Sequence, residues 1–136
     1  MRDVFHFYQT EKIENGLVFY TRYSGPLTLD VFMESSVNRT IDVDYENARF
    51  IVIDVQEAVL TQLTAEDIQM MALRTRAVIT QRPHIVYIVV AADPFSYGIS
   101  RMWYGAVKQE GDAVYVVRSE EQAMETIRRI RQKRNF

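Results

Sequence analysis

Two short, uninterrupted apolar runs separated by a helical pattern constrain the fold of this chain most strongly. The runs are Phe50–Ile53 and Ile85–Ala91, and continuous apolar residues over a strand's length are typical of strands covered on both faces. After Thr64, apolar residues recur at helical spacing until Pro83 ends the pattern. A strand, a helix and a strand in this order predict a parallel pair with a helix packed against it.

The N-terminal part of the chain predicts an antiparallel hairpin followed by a helix. Asn15-Gly16 lies before a segment rich in β-branched and aromatic residues, Leu17 to Tyr23. Asn-Gly favours the positive φ angles of tight hairpin turns. Thr28 can cap a helix that starts at Leu29. The polar stretch from Asn38 to Asn47 predicts a loop after this helix.

The C-terminal part continues the alternation of helices and strands. A helix is predicted from Phe95 to about Val107 and a last strand from Ala113 to Val117. Ser119 and Gln122 have the spacing of a capping box, which predicts a final helix. The sequence therefore predicts one α/β domain spanning residues 1–136. Its mixed, mostly parallel sheet has about five strands, begins with an N-terminal hairpin and is covered by about four helices.

Composition excludes several classes of protein. A hydrophobic fraction of 48% in 136 residues favours a folded globular domain over a disordered chain. The net charge of -2 argues against binding nucleic acid through the whole surface. The absence of cysteine excludes disulfides, thiolate zinc sites and a cysteine nucleophile. The longest apolar run, Ile85 to Ala92, is far shorter than a membrane span, so we expect a cytoplasmic protein.

Several short motifs resemble those of STAS domains, in the group that includes the SpoIIAA-like anti-sigma-factor antagonists. Phe50–Asp54 is similar to that family's central strand, which ends in Asp. Thr64–Met71 lies where the family carries the helix with its regulatory serine. The other matching segments are an opening strand and turn, part of a third helix, and a closing strand and helix: Asn15–Leu17, Tyr23–Leu27, Phe95–Trp103, Val114–Val117 and Ser119–Ala123. The resemblance implies a SpoIIAA/STAS-like fold and a non-enzymatic regulatory or protein-interaction module, with a role in signalling.

The loop that is phosphorylated in that family differs here. It typically reads Asp-Ser-Ser-Gly, whereas this chain has Gln62-Leu63-Thr64-Ala65, with one hydroxyl and no glycine. Thr64 and Thr61 are therefore the candidate phospho-acceptors. A helix N-terminus stabilises an anion, although the negative charges of Glu66 and Asp67 would repel a phosphate. The alternative is that Thr64 is a plain N-cap.

A second candidate site follows from the ends of the two apolar strands. Asp54 ends the first strand, and the predicted long loop Val55–Leu63 follows it. In open α/β sheets, ligands bind beyond the carboxyl ends of the strands. The predicted rim for a small ligand or a partner's side chain consists of Gln56, Asp93, Ser96, Tyr97 and Arg101. The alternative is that Asp93 caps the third helix while Tyr97 and Trp103 simply pack.

The sequence contains no recognisable catalytic group. His6 and His84 have no carboxylate spacing that suggests a metal site, and neither is placed for a triad. An enzyme is therefore the least favoured of three functional hypotheses, and we predict no metal and no cofactor. Basic residues crowd the C-terminus from Arg128 to Arg134. These residues predict either a binding site for an anionic partner or, more simply, a helix C-terminus, where positive charges interact favourably with the helix dipole.

Two functional hypotheses rank ahead of an enzyme. The first is a module that binds a protein partner or itself as a homodimer, because the first hairpin carries many aromatic residues: Phe5, Phe7, Phe19, Tyr20 and Tyr23. The second is a small-ligand or lipid-binding protein of SEC14-like type. A set of methionine and aromatic residues motivates it, and a large apolar cavity beside them would favour it: Met70, Met71, Met102, Trp103 and Tyr104.

Overall fold

The structure, a computed structural model, describes residues 7–107 and 113–134; Phe5 and His6 therefore lie outside the described residues. The elements in chain order are β1 (Tyr8–Ile13), β2 (Val18–Pro26), α1 (Leu29–Thr40), a short 3₁₀ turn (Tyr45–Asn47), β3 (Phe50–Val59), α2 (Ala65–Gln81), β4 (Val86–Val90), α3 (Pro94–Val107), β5 (Val114–Val117) and α4 (Glu120–Arg134). This order confirms the predicted α/β fold class.

The described strands form one sheet in the order β1-β2-β3-β4-β5. Strand β1 pairs antiparallel with β2, and the remaining pairs are parallel. The hairpin turn joins Ile13 to Val18 through three consecutive residues with positive φ: Glu14, Asn15 and Gly16. A Cβ at position 16 would lie 2.7 Å from the Cβ of Asp44, so the turn requires glycine there for two independent reasons.

The two faces of the sheet bury alternate residues of each strand. Ile51, Ile53 and Tyr87 pack in one cluster with residues of α1, α2 and α3, whereas Phe50 and Val52 pack with residues of α4 in the other. Three helices therefore cover one face and one helix covers the other. Such double coverage explains why β3 and β4 are apolar at almost every position.

Strand β3 is longer than the sequence predicts. It runs to Val59, so the predicted loop Val55–Leu63 is wrong, and the connection to α2 shrinks to residues 60–64. The reason is β2, which also continues and pairs with β3 up to Pro26↔Val59 after an irregularity between Arg22 and Ser24. These last residues of β3 extend beyond the end of β4, whose pairing stops at Asp54↔Val90.

The helix starts follow the predicted caps. The hydroxyl oxygen of Thr28 accepts a hydrogen bond from the backbone N–H of Val31. At α4, the Ser119 hydroxyl accepts from the N–H of Gln122, while the Gln122 side chain accepts from the N–H of Arg118 instead of Ser119. The capping box therefore differs from the predicted one in one bond: the Gln122 side chain accepts from the N–H of the residue before Ser119. The predicted loop from residue 38 to 47 is partly helical, because α1 continues to Thr40.

Candidate functional site

Strand β4 ends beside Asp54, in the middle of β3, and β3 continues to Val59. Asp54 is the last β3 residue that pairs with β4, and its partner is Val90. Since the two strands are parallel, the chain leaves both in the same direction. Asp54 and Gln56 therefore lie within β3, whereas Asp93 follows the end of β4.

Asp54 is buried and strongly hydrogen-bonded. It is only 5% exposed, and its Oδ2 accepts a 2.7 Å hydrogen bond from the hydroxyl of Tyr20, which is fully buried. The side chain of Gln56 donates to the same oxygen at 3.2 Å, and the backbone N–H of Gln56 donates to Oδ1 at 3.0 Å. Burial, and then the bond to Asp54, raises the pKa of Tyr20 well above its ordinary value.

A cleft of about 370 Å³ opens above this hydrogen-bonded pair. It lies where the register between β2 and β3 shifts, between Arg22 and Ser24. Its wall combines residues of β1, β2 and β3 with the first residue of α4: Tyr8, Gln9, Arg22, Tyr23, Ser24, Asp54, Gln56, Glu57 and Glu120. Irregular pairing at the rim of a sheet commonly re-aims side chains in this way.

Arg22 joins the elements around the cleft. Its guanidinium donates to Glu11 on β1 at 3.1 Å and to Glu120 on α4 at 3.2 Å. The same group lies 4.3 Å from the centroid of the Tyr20 ring, within reach of a cation–π contact. Arg22 thus ties β1 to α4 across the ring whose hydroxyl holds Asp54.

The predicted rim residues fall in two places. Gln56 lines the Asp54 cleft, whereas Asp93, Ser96, Tyr97 and Arg101 belong to the start and body of α3 and do not line that cleft. Helix α3 packs against the opposite face of the sheet from α4. Of the five predicted rim residues, the cleft therefore contains Gln56 alone.

On α3, the predicted residues have structural partners. A carboxylate oxygen of Asp93 accepts from the backbone N–H of Ser96 at 3.0 Å, and this bond lowers the pKa of Asp93. Ser96 is buried. The guanidinium of Arg118 lies 4.0 Å from the centroid of the Tyr97 ring, and exposed Arg101 lies over a neighbouring tyrosine of its own helix.

The two candidate phospho-acceptors lie together before α2. Thr64 is the N-cap: its hydroxyl oxygen accepts from the N–H of Asp67 at 3.0 Å, and the Asp67 carboxylate accepts from the N–H of Thr64 at 3.1 Å. This is a complete capping box. Thr61 is exposed in the preceding turn.

Sequence reasoning missed three residues that shape the cleft: Tyr20, Arg22 and Glu120. Tyr20 belongs to an aromatic strand, and nothing in its local pattern indicates an acidic partner. Arg22 and Glu120 are 98 positions apart along the chain. Only the pairing of β2 with β3 and the docking of α4 bring these side chains together.

Neither a metal site nor a membrane span is found in the part of the chain that the structure describes. Residues 7–107 and 113–134 contain no group of three or more His, Cys, Asp or Glu side chains placed to hold a metal ion. No helix within those ranges is long and apolar enough to cross a membrane.

Comparison with known proteins identifies the fold. No family model and no curated sequence matches the chain. A solved structure of the anti-sigma factor antagonist SpoIIAA in its unphosphorylated form matches with a TM-score of 0.58 and 12% sequence identity, covering 89% of this chain and 97% of that chain. An identity this low carries the fold alone, and it agrees with the resemblance in the motifs. The chain therefore has the STAS fold of SpoIIAA.

Proposed function

We propose that this chain is a non-enzymatic protein-interaction module of STAS-like type that binds a second copy of itself through the outer face of α2 and α3. One observation carries the proposal. Four large apolar side chains on these two packed helices are about half exposed: Met70 (42%), Leu73 (53%), Phe95 (52%) and Met102 (50%). Apolar side chains grouped on an exposed surface are typical of interaction sites.

The outward residues of α3 give this surface its shape. Phe95, Gly98, Met102 and Gly105 follow one another at spacings of three, four and three, so they lie in one stripe along the helix. Both glycines are exposed, and a Cβ at either would have nothing within 4 Å. Each glycine costs a helix about 1 kcal/mol relative to alanine. Packing inside one copy gives no reason for that cost, whereas close approach of another helix does.

The order of large and small residues suits an antiparallel pair of identical helices. A two-fold axis near Ser100 would place Phe95 opposite Gly105 of a second copy and Met102 opposite its Gly98. Each large side chain would then meet a gap, and each contact would occur twice, as a two-fold symmetric interface requires. This arrangement supports a homodimer over a module that stays monomeric.

The aromatic residues of the first hairpin do not provide this surface. Phe19, Tyr20 and Tyr23 are each at most 1% exposed, because the two faces of the sheet divide them. The argument that the hairpin carries more aromatic surface than the fold can bury is therefore wrong for these three residues. The prediction of a homodimer now depends on α2 and α3.

No observation favours the SEC14-like lipid carrier. Met71 and Trp103 border an apolar space of only about 30 Å³, which is about the volume of one water molecule. Met70 and Met102 point outward instead of lining it. The methionine set thus divides between a packed core and the proposed contact surface.

Phosphorylation of Thr64 remains a separate proposal about regulation. A phosphate would replace the hydroxyl that now caps α2, and Glu66 and Asp67 would repel it. These contacts support Thr64 as a cap, whereas Thr61 is likewise exposed and caps no helix. Mass spectrometry of protein purified from its native cells tests the proposal, and lack of phosphate at both threonines under all growth conditions would end it.

Sedimentation velocity over a range of concentrations tests the proposed dimer. We expect the wild-type chain to dimerise and Met102→Glu to remain monomeric, because the charge would be buried at the contact. Val43→Glu is the matched control, since Val43 is 84% exposed and lies outside the surface. A monomeric wild type at high concentration, or a dimer that persists in Met102→Glu, contradicts the proposal.

A further inference from the structure

We propose that the cleft above Asp54 is a binding site for a small organic cation that carries a primary ammonium or guanidinium group. This site is independent of the proposed dimer surface. It opens beside α4, whereas α2 and α3 cover the other face of the sheet. The inference draws on the shape, the charge and the hydrogen-bonding capacity of the cleft.

The size of the cleft suits a small molecule. Its volume of about 370 Å³ lies near the lower end of the range of about 300–1,000 Å³ that is usual for small-molecule sites. Asp54 is the buried residue of its wall, and a 2.7 Å hydrogen bond from buried Tyr20 holds its carboxylate in place. A preformed site reduces the entropy lost on binding.

The charge of the wall favours a cation. Three carboxylates, Asp54, Glu57 and Glu120, face the cleft, against one cation, Arg22. Arg22 is already held by Glu120 and by Glu11 outside the wall. The carboxylate of Glu57 has no hydrogen-bond or ion-pair partner within residues 7–107 and 113–134. An anion would meet an excess of negative charge, whereas a cation would pair with Glu57.

Asp54 adds a second, buried acceptor. Its Oδ2 already accepts from Tyr20 and from the side chain of Gln56, but its Oδ1 accepts only from the backbone N–H of Gln56. A carboxylate offers about four acceptor positions, so Oδ1 can receive one further N–H. An ammonium group has three donors and can join Asp54, Glu57 and the Ser24 hydroxyl.

An organic cation fits the wall better than a metal ion does. Although three carboxylates face the cleft, the described residues, 113–134 included, contain no group of three or more His, Cys, Asp or Glu side chains placed to hold one metal ion. Amide and hydroxyl groups of Gln9, Gln56 and Ser24 instead alternate with the carboxylates. Such a mixture suits the directional N–H donors of an amine or guanidine.

The direct test is a chemical-shift titration of the full chain, with 1,5-diaminopentane and with an N-acetylated, C-amidated Gly-Lys-Gly peptide as probes. We expect saturable shifts at the backbone amides of Ser24, Gln56 and Glu57, and none with sodium acetate. Tighter binding of the diamine assigns the site to a free amine. Tighter binding of the peptide assigns it to a lysine side chain, and either result supports the proposal.

Variants show whether the cleft itself is responsible. Glu57→Gln removes the unpaired carboxylate from an exposed position, and we expect its dissociation constant for the better probe to rise by up to about fivefold, as loss of one exposed ion pair of about 0.2–1 kcal/mol predicts. Glu66→Gln removes an exposed carboxylate at the start of α2 and should leave binding unchanged. Absence of saturable shifts with both probes, or equal affinity in Glu57→Gln, would overturn the assignment.

Discussion

The hydrogen bond between Tyr20 and Asp54 offers the sharpest test of how this fold is stabilised. Tyr20→Phe removes one hydroxyl and keeps the ring, so the contact of that ring with Arg22 is retained. The variant leaves Oδ2 of Asp54 with one donor, the Gln56 side chain. It therefore isolates the contribution of a single bond to a buried carboxylate.

The expected cost follows from the burial of both partners. Tyr20 is fully buried and Asp54 is 5% exposed, so water cannot replace the hydroxyl without local rearrangement. Hydrogen bonds to charged groups contribute about 1.5–3 kcal/mol. Gln56 still donates two hydrogen bonds to Asp54 in the variant, so the carboxylate keeps part of its stabilisation. We therefore expect Tyr20→Phe to lower the free energy of unfolding by about 2 kcal/mol. That lowers the folding equilibrium constant about 30-fold.

Urea unfolding measured by fluorescence gives the free energy of unfolding. Trp103 is the single tryptophan and is buried, so it reports loss of the core. We expect Tyr20→Phe to lower the midpoint with an unchanged slope. Tyr97→Phe is the control, because the Tyr97 ring packs beneath Arg118 on the other helical layer.

A double-mutant cycle separates the bond from other effects of the variant. With Asp54→Asn as the second change, the two substitutions should couple by at least about 1 kcal/mol, as contacting residues do. Our reasoning is refuted if Tyr20→Phe costs no more than Tyr97→Phe, or if the two changes are additive.

Four further expectations follow from backbone geometry, capping and burial. At concentrations where the chain is monomeric, Gly98→Ala should raise the free energy of unfolding in urea by about 1 kcal/mol, since a Cβ there has open space, and a lower free energy under those conditions would contradict this. Gly16→Ala should destabilise by at least about 1 kcal/mol, because its φ is +94° and the site is crowded; an unchanged midpoint would contradict it. Thr64→Ala should lower the free energy of unfolding, measured in the same assay, by about 1 kcal/mol because α2 loses its N-cap. Thr64→Ser keeps a capping hydroxyl and should retain most of the wild-type stability. Burial raises the pKa of Tyr20 and of Tyr87, so the unfolded chain loses these protons at a lower pH than the folded chain does. The free energy of unfolding should therefore fall above about pH 10 by up to about 1.4 kcal/mol per pH unit for each tyrosine. A free energy of unfolding that stays constant up to about pH 11 would be inconsistent with these shifts.

Local signals in the sequence predict the elements but not all of their lengths. The caps at Thr28 and Thr64 are correct because a cap depends on residues within one helical turn. The end of β3 is not predictable in this way. Asp54 reads as a strand end, yet pairing with the extended β2 carries the strand to Val59. Sheet pairing between distant segments decides that boundary.

The site was less accessible to sequence reasoning than the fold. In the sequence, Gln56 and Asp93 follow two adjacent apolar runs, and the expectation that they share a rim depends only on the order of those runs. Side-chain direction alternates along a strand, so Asp54 and Gln56 lie on the α4 side while the helix after Asp93 covers the other. The face of the sheet beside which a loop residue lies depends on where the next helix packs, and the local sequence does not show this.

The unequal covering of the sheet has a consequence for biosynthesis. Among the described helices, α4 alone shields Phe50, Val52 and Ile88, and it leaves the ribosome after all five described strands. Until α4 emerges, the apolar face formed by the earlier strands stays exposed to solvent, even when the preceding helices have already packed on the other face. Nascent chains that stall before Glu120 should therefore attract chaperones or aggregate, because exposed apolar surface in incomplete folds promotes both.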